Sequence, residues 1–146
     1  MKEKFQKREI KVYVASPYSL GWMPTMVKLQ LDIGQKLMDE GYFPYVPLLN
    51  HFQEIYSNRT EHEWLKLDFV FLKTCDGVLR LFPVDKEGNV IPSSGADQEE
   101  KIAEENGIPV FYSIDDLNDY FKAESKQEYI WDDYHEERMA KMGHPE

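Results

Sequence analysis

The sequence predicts an α/β fold in which a mostly parallel sheet is covered by helices on both faces. Short apolar runs rich in β-branched residues recur along the chain, separated by stretches with helical apolar spacing. Strands that alternate with helices pair in parallel, because each crossover returns the chain to the same end of the sheet. Right-handed crossovers allow the strand order 2-1-3-4, a flavodoxin- or Rossmann-like three-layer sandwich with room for an extra strand.

The first strand is "IKVYVAS", Ile10 to Ser16, followed by the loop "PYSLGWMP" with two prolines and a glycine. Met26 to Gly41 has helical spacing, with Leu29, Ile33 and Leu37 apolar and Gly41 as C-cap. "YFPYVPLL" reads as a second strand, placed at an edge by its prolines. Glu61 to Cys75 is a second helix, with Trp64, Leu65, Phe69 and Leu72 apolar, and "GVLRLFP" a third strand with Asp76 capping its start. A polar loop, Val84 to Pro92, leads into the helix of "SSGADQEEKIAEENGIPVFY", which Gly107 and Pro109 end before the fourth strand "PVFYS". "SIDDLNDYFKAE" is a helix capped by Ser113, with Asp116 completing the box. The whole chain, 1–146, reads as one domain with an amphipathic helical tail over about 125–146, which carries Tyr129, Ile130, Trp131 and Tyr134.

Composition narrows the function. The 146 residues are 42% apolar and 14% aromatic, enough for a real core. A formal charge of -10, from 27 acidic and 17 basic residues, leaves no broad basic surface for a nucleic-acid polymer or an anionic membrane. It still permits a small phosphorylated ligand held by backbone N–H groups. One cysteine, Cys75, rules out an internal disulfide and fits a reducing cytosol. With no signal-peptide pattern and no long apolar run, the chain reads as cytoplasmic. His51, His62, His135 and His144 are scattered, so no metal site is expected, and no glycine-rich dinucleotide or Walker pattern suggests a cofactor.

Strand order 2-1-3-4 puts the topological reversal between strands 1 and 3, where ligands bind at the carboxyl ends of the strands. The loops there are "SPYSLGW" and "VIPSSGADQE". Ser93, Ser94 and Gly95 precede a helix N-terminus, whose N–H groups and dipole favour an anion. A surface capping box, Ser94 with Asp97, satisfies the same spacing. It does not account for Glu99. At about 100° per residue, Glu99 shares the inner face with Ile102, Ala103 and Asn106, where a carboxylate needs a partner. Tyr13 on the first strand is a candidate partner, although a core tyrosine bonded to backbone or water would also satisfy the pattern. Asp68, among Trp64, Leu65, Phe69 and Leu72, is a further candidate, with an ordinary exposed helix carboxylate as the alternative.

In three places the chain resembles the nucleoside 2-deoxyribosyltransferase superfamily, including its branch of nucleoside-monophosphate N-glycosidases. "VYVASPYS" is similar to that superfamily's first strand and loop, with Tyr13 at its tyrosine. "DFVFLKTCDGVLRL" puts Asp68 at its active-site aspartate, and "SSGADQEEKIAEENGIPVF" puts Ser93, Gly95, Glu99 and Ala103 in register with its Ser-x-Gly-x-x-x-Glu-x-x-x-Ala element. Lys101 stands where the family often has glycine, and the wording also resembles uncharacterised phage and bacterial members.

The resemblance implies a cofactor-free reaction at the anomeric carbon of a nucleoside sugar. Glu99 would be the nucleophile, Tyr13 would orient it, and Asp68 would protonate or position the leaving base. Ser16, Tyr18, Ser93, Ser94 and Gly95 would bind substrate. Transferases that act on unphosphorylated nucleosides typically carry aspartate at the place of Ser93, so the serine implies a nucleoside 5′-monophosphate or another phosphorylated sugar. Hydrolysis of the N-glycosidic bond and deoxyribosyl transfer between bases both remain open, as does a module that binds a nucleotide or phosphosugar without turnover. The family also implies a homodimer or larger homo-oligomer.

Overall fold

The computed structural model describes residues 9–17 and 23–125. Tyr18 and the tail with Tyr129, Ile130, Trp131 and Tyr134 lie outside the described residues. Four strands, β1 (Lys11–Ala15), β2 (Phe43–Tyr45), β3 (Gly77–Arg80) and β4 (Val110–Phe111), form one sheet in the order β2-β1-β3-β4. Every pairing is parallel. The expected order is therefore the one observed, with Pro44 on an edge strand where its missing N–H disrupts no inner ladder. An extra strand does not appear among the described residues. The loop after β3 forms only an isolated antiparallel bridge, Val84 to Val90, around a turn.

Three α-helices fill the crossovers, α1 (Met23–Asp39), α2 (Glu61–Leu72) and α3 (Ser94–Glu105), and α4 (Ile114–Ser125) follows the last strand. α1 begins three residues before the start read from periodicity, because Pro24 fits a first helical turn, where no N–H is needed. α1 and α3 end as their glycines suggest. Gly41 and Gly107 take φ values of 102° and 70°, and the residue after each donates back across the last turn, Tyr42 N to Leu37 O at 2.9 Å and Ile108 N to Ala103 O at 2.8 Å. Ser113 caps α4 by accepting from Asp116 N at 3.0 Å.

Two departures from the sequence reading matter for the site. β2 is only three residues long, and the "VPLL" that seemed to extend it enters a 3-10 helix (Pro47–Ile55) instead. Pro47 at its first turn favours that outcome, and short i→i+3 helices leave no apolar period to read. The N-cap of α3 is Ser93, whose hydroxyl accepts from Ala96 N at 3.0 Å, rather than Ser94. Ser94 is the first residue of the helix proper.

Alternation along the strands separates two cores. Val12, Val14 and Leu79 face α1 and α4 and pack with Leu37, Leu117 and Phe121. Tyr13, Ala15 and Val78 face α2 and α3 and pack with Leu72, Ala96 and Ala103. Asp76 ties the start of β3 to β1: its Oδ2 accepts from Lys11 N, and its own N–H donates to Lys11 O, each at 2.8 Å.

Candidate active site

The chain segments that follow β1, β2 and β3 border one cleft, at the carboxyl ends of the strands beside the reversal. Ser16 comes from the end of β1, Pro47 and Leu48 from the 3-10 helix, and Ser93 to Ala96 from the start of α3. α2 supplies Glu61, Trp64, Leu65 and Asp68, and α1 supplies Gln30. The cavity measures about 90 Å³, and Glu99 and Asp68 both line it.

Glu99 points inward, as the helical period requires, and is 6% exposed. Its Oε2 accepts a hydrogen bond from the Tyr13 hydroxyl, joining β1 to α3 across the inner face of the sheet. Tyr13 is fully buried, so this bond satisfies a phenol that has no access to water. Its ring stacks on Tyr45, centroids 5.5 Å apart, and Tyr45 stacks on Phe71 at 5.1 Å. Asn50 Nδ2 donates to the Tyr45 hydroxyl at 2.7 Å, which pins the 3-10 helix to this aromatic wall.

Asp68 lies on the same stripe of α2 as Trp64 and Leu72 and is 4% exposed. An exposed helix carboxylate is thus excluded for this residue. Among the described residues, Asp68 Oδ1 and Ser16 Oγ are buried without a hydrogen-bond partner, as suits groups that meet a ligand.

Burial governs the electrostatics. It pushes Glu99 up to about 8; the charge of Asp68 adds to the rise, while the Tyr13 hydrogen bond and the Arg80 guanidinium oppose it. Burial likewise lifts Asp68 to about 7, against a hydrogen bond from Asn50. The Tyr13 phenol is raised well above its usual value, by burial first and by Glu99 and Asp68 after it. The two carboxyls share their protons as a pair, and Glu99 holds its proton more tightly than Asp68. One ionised carboxylate beside one protonated carboxylic acid can act as a nucleophile and a proton donor.

The structure therefore gathers Ser16, Asp68, Ser93, Ser94, Gly95 and Glu99 around one cleft, with Tyr13 directly behind Glu99. Lys101 is exposed on the outer side of α3 and does not reach the cleft. Three residues were passed over in the sequence. Gln30 occupies the Met26–Ile33–Leu37 stripe of α1, is 2% exposed and donates to Pro17 O at 3.3 Å, and that stripe position was its signal. Asn50 lies in the 3-10 helix, where no period marks it. Arg80, the last residue of β3, is 3% exposed, and a charge inside an apolar strand was its signal. Among the described residues, no lysine or arginine lines the cleft, and no group of three or more His, Cys, Asp or Glu side chains could hold a metal ion. No helix among them is long and apolar enough to cross a membrane.

The fold has a counterpart in a solved structure. A 2-deoxyribosyltransferase from the psychrotolerant bacterium Bacillus psychrosaccharolyticus superposes with a TM-score of 0.53. The superposition covers 68% of this chain and 69% of that enzyme, at 24% sequence identity. The chain has the fold of that enzyme. No protein-family profile matches the sequence, and no match was found among curated proteins.

Proposed function

We propose that this chain is an enzyme that cleaves the N-glycosidic bond of a nucleoside 5′-monophosphate, or passes its deoxyribosyl group to a second base. The observation that carries this reading is the buried Tyr13–Glu99 hydrogen bond in a cleft that also holds Asp68. A buried carboxylate beside a second carboxyl, at the mouth of a sugar-sized cleft, suits an oxocarbenium-like transition state, which it both stabilises and traps as an ester.

In the first step Glu99, its proton passed to Asp68, bonds through a carboxylate oxygen to C1′ as the C1′–N bond breaks. The bonding pair stays on the base nitrogen, which takes a proton from Asp68. In the second step water attacks C1′, the ester bond returns its electron pair to Glu99, and the Asp68 carboxylate accepts the water proton. A second base in place of water gives transfer. Tyr13 holds the Glu99 oxygen in line throughout.

Ser93, Ser94, Gly95 and the first N–H groups of α3 hold the 5′-phosphate, with Ser16 beside them. Neutral donors, a helix N-terminus and a cleft that no lysine or arginine lines among the described residues suit a single phosphate better than a triphosphate. We also read the chain as a homodimer or larger homo-oligomer, as its resemblance implies.

The test is free-base release, followed by chromatography, from ribo- and deoxyribonucleoside 5′-monophosphates and the matching nucleosides. Release from a monophosphate that disappears in Glu99→Ala is the expected result. No release from any of them, with or without an acceptor base, would replace this reading with a nucleotide- or phosphosugar-binding module.

A further inference from the structure

Arg80 is the charged residue that the reaction above leaves unused, and its setting is unusual. It is 3% exposed and sits on the α2/α3 face of the sheet, directly opposite Ala15 in the β1–β3 register and two pairs beyond Tyr13 opposite Val78. The small Ala15 side chain leaves space on that face for a long one. Arg80 Nη2 donates to Asp97 Oδ1 at 2.8 Å, and its Nε lies 3.7 Å from Glu100 Oε1. The guanidinium also lies over the Phe82 ring, 4.5 Å from its centroid. Asp97 and Glu100 flank Glu99 in sequence, so both clasps fall on the turn of α3 that carries the nucleophile. Glu100 is braced in turn by the Tyr112 hydroxyl, which donates to its Oε2 at 2.8 Å.

A buried guanidinium is costly to keep, and two of its nitrogens, Nε and Nη1, lack a hydrogen-bond partner among the described residues. Asp97 is 70% exposed, so solvent weakens the compensation it can give. A structural anchor for α3 would be better served by a fully paired or apolar side chain. What Arg80 adds, and an apolar residue could not, is positive charge on the inner face beneath α3.

We propose that Arg80 is a positioning residue for Glu99, a buried cation clasped to α3 by Asp97 and Glu100 that favours the ionised form of the neighbouring carboxyl and fixes it for attack. The catalytic consequence rests on the proposed role of Glu99 as nucleophile; the electrostatic one does not. The groups that face Glu99 are Tyr13 from β1, Asp68 from α2 and Arg80 from β3, with Tyr45 from β2 beyond them. Of these, only Arg80 is a cation. Tyr13 and Arg80 both favour the ionised form of Glu99, and Asp68 opposes it.

The test is a titration of the full chain labelled with carboxyl-13C glutamate, with Glu99 identified by its absence in Glu99→Gln. Arg80→Met should raise the Glu99 midpoint by about one pH unit, a tenfold change in its proton affinity. Arg80→Lys, which keeps the charge, should stay near the wild type. The double variant Asp97→Asn/Glu100→Gln removes the anions that offset Arg80 and should lower the midpoint. A purely structural role would not give shifts of opposite sign. Should Arg80→Met fail to fold, Arg80→Gln, which keeps a polar group beside Asp97 without the charge, decides: an unmoved midpoint overturns the proposal. So does a folded Arg80→Met with an unmoved midpoint.

Base release is read in parallel. If the wild type turns over, the acid limb of its pH profile should move with the Glu99 midpoint in each variant, and an acid limb that stays fixed overturns the catalytic part. Opposite shifts in a protein that releases no base would uphold the electrostatic role of Arg80 while removing the proposed function.

Discussion

The two faces of the sheet bury different things from the same strands. On the α1/α4 side, Val12, Val14, Leu79, Leu117 and Phe121 form a core with no buried charge among the described residues. On the α2/α3 side, the neighbouring strand positions supply Tyr13 and Arg80, and the helices supply Asp68 and Glu99. A shift of one residue along β1 or β3 is the difference between them. The apolar face can supply the stability that the polar face gives up by burying these four ionisable groups, so stability and chemistry are divided across one layer of backbone.

That division can be broken from either side. Glu99→Gln should lower base release by about 10³-fold or more while leaving the circular dichroism spectrum unchanged. Leu117→Ala should do the reverse, losing about 3 kcal/mol in urea unfolding with little change in turnover per folded molecule. A large loss of turnover in folded Leu117→Ala would show that the two faces are not separable.

A smaller effect sharpens the comparison through pH. Glu99 in the folded chain titrates at about 8, against a usual value of 4.5, so the folded state holds this proton more tightly than the unfolded one. Stability therefore falls as pH rises from the unfolded value through the folded one. Glu99→Gln, which can still accept from Tyr13, should melt like the wild type at pH 4 and several degrees higher at pH 8.5, a gain on the order of a few kcal/mol. A constant difference in melting temperature across that range would argue against a buried, proton-holding Glu99.

Tyr13→Phe should cost about 10- to 100-fold in kcat/KM, the worth of one hydrogen bond to a charged group. It should also move the acid limb of the pH profile upward, because the Tyr13 bond favours the ionised Glu99. The smallest effect belongs to Gly95→Ala. An added Cβ would meet Leu65 Cδ2 at 3.6 Å, an ordinary contact, so stability should change by less than about 0.5 kcal/mol. Because Gly95 lines the cleft, KM for the monophosphate should rise severalfold with kcat nearly unchanged.

Much of this was legible in the sequence because it follows from two periods. The alternation of strands and helices allowed the 2-1-3-4 order, and a 100° step gave the inward direction of Glu99, while its bond to Tyr13 was one of two readings that the pattern left open. Asp68 was harder: exposed carboxylates are common on helices, and only its burial between Trp64 and Leu72 distinguishes it. The 3-10 helix and Asn50 were not legible, because a short i→i+3 segment has no apolar stripe and "VPLL" also fits a strand. Ser93 and Ser94 could each cap α3, and only the bond to Ala96 N distinguishes them. Arg80 was visible as an anomaly, but its meaning depends on Asp97 and Glu100, which an outward-facing helical pattern assigns to solvent.

The central position of β1 also bears on how the chain is made. β1 pairs with β2 on one edge, but its other edge waits for β3, and the Lys11–Asp76 clasp spans 65 residues. At a synthesis rate of about 5–20 residues per second, that edge stays open for roughly 3–13 s after β1 is made. During that interval a strand carrying Val12 and Val14 offers unpaired backbone groups to any other extended chain. Crowded ribosomes translating this message would bring such strands together, so soluble yield should depend on how fast residues 16–80 are translated.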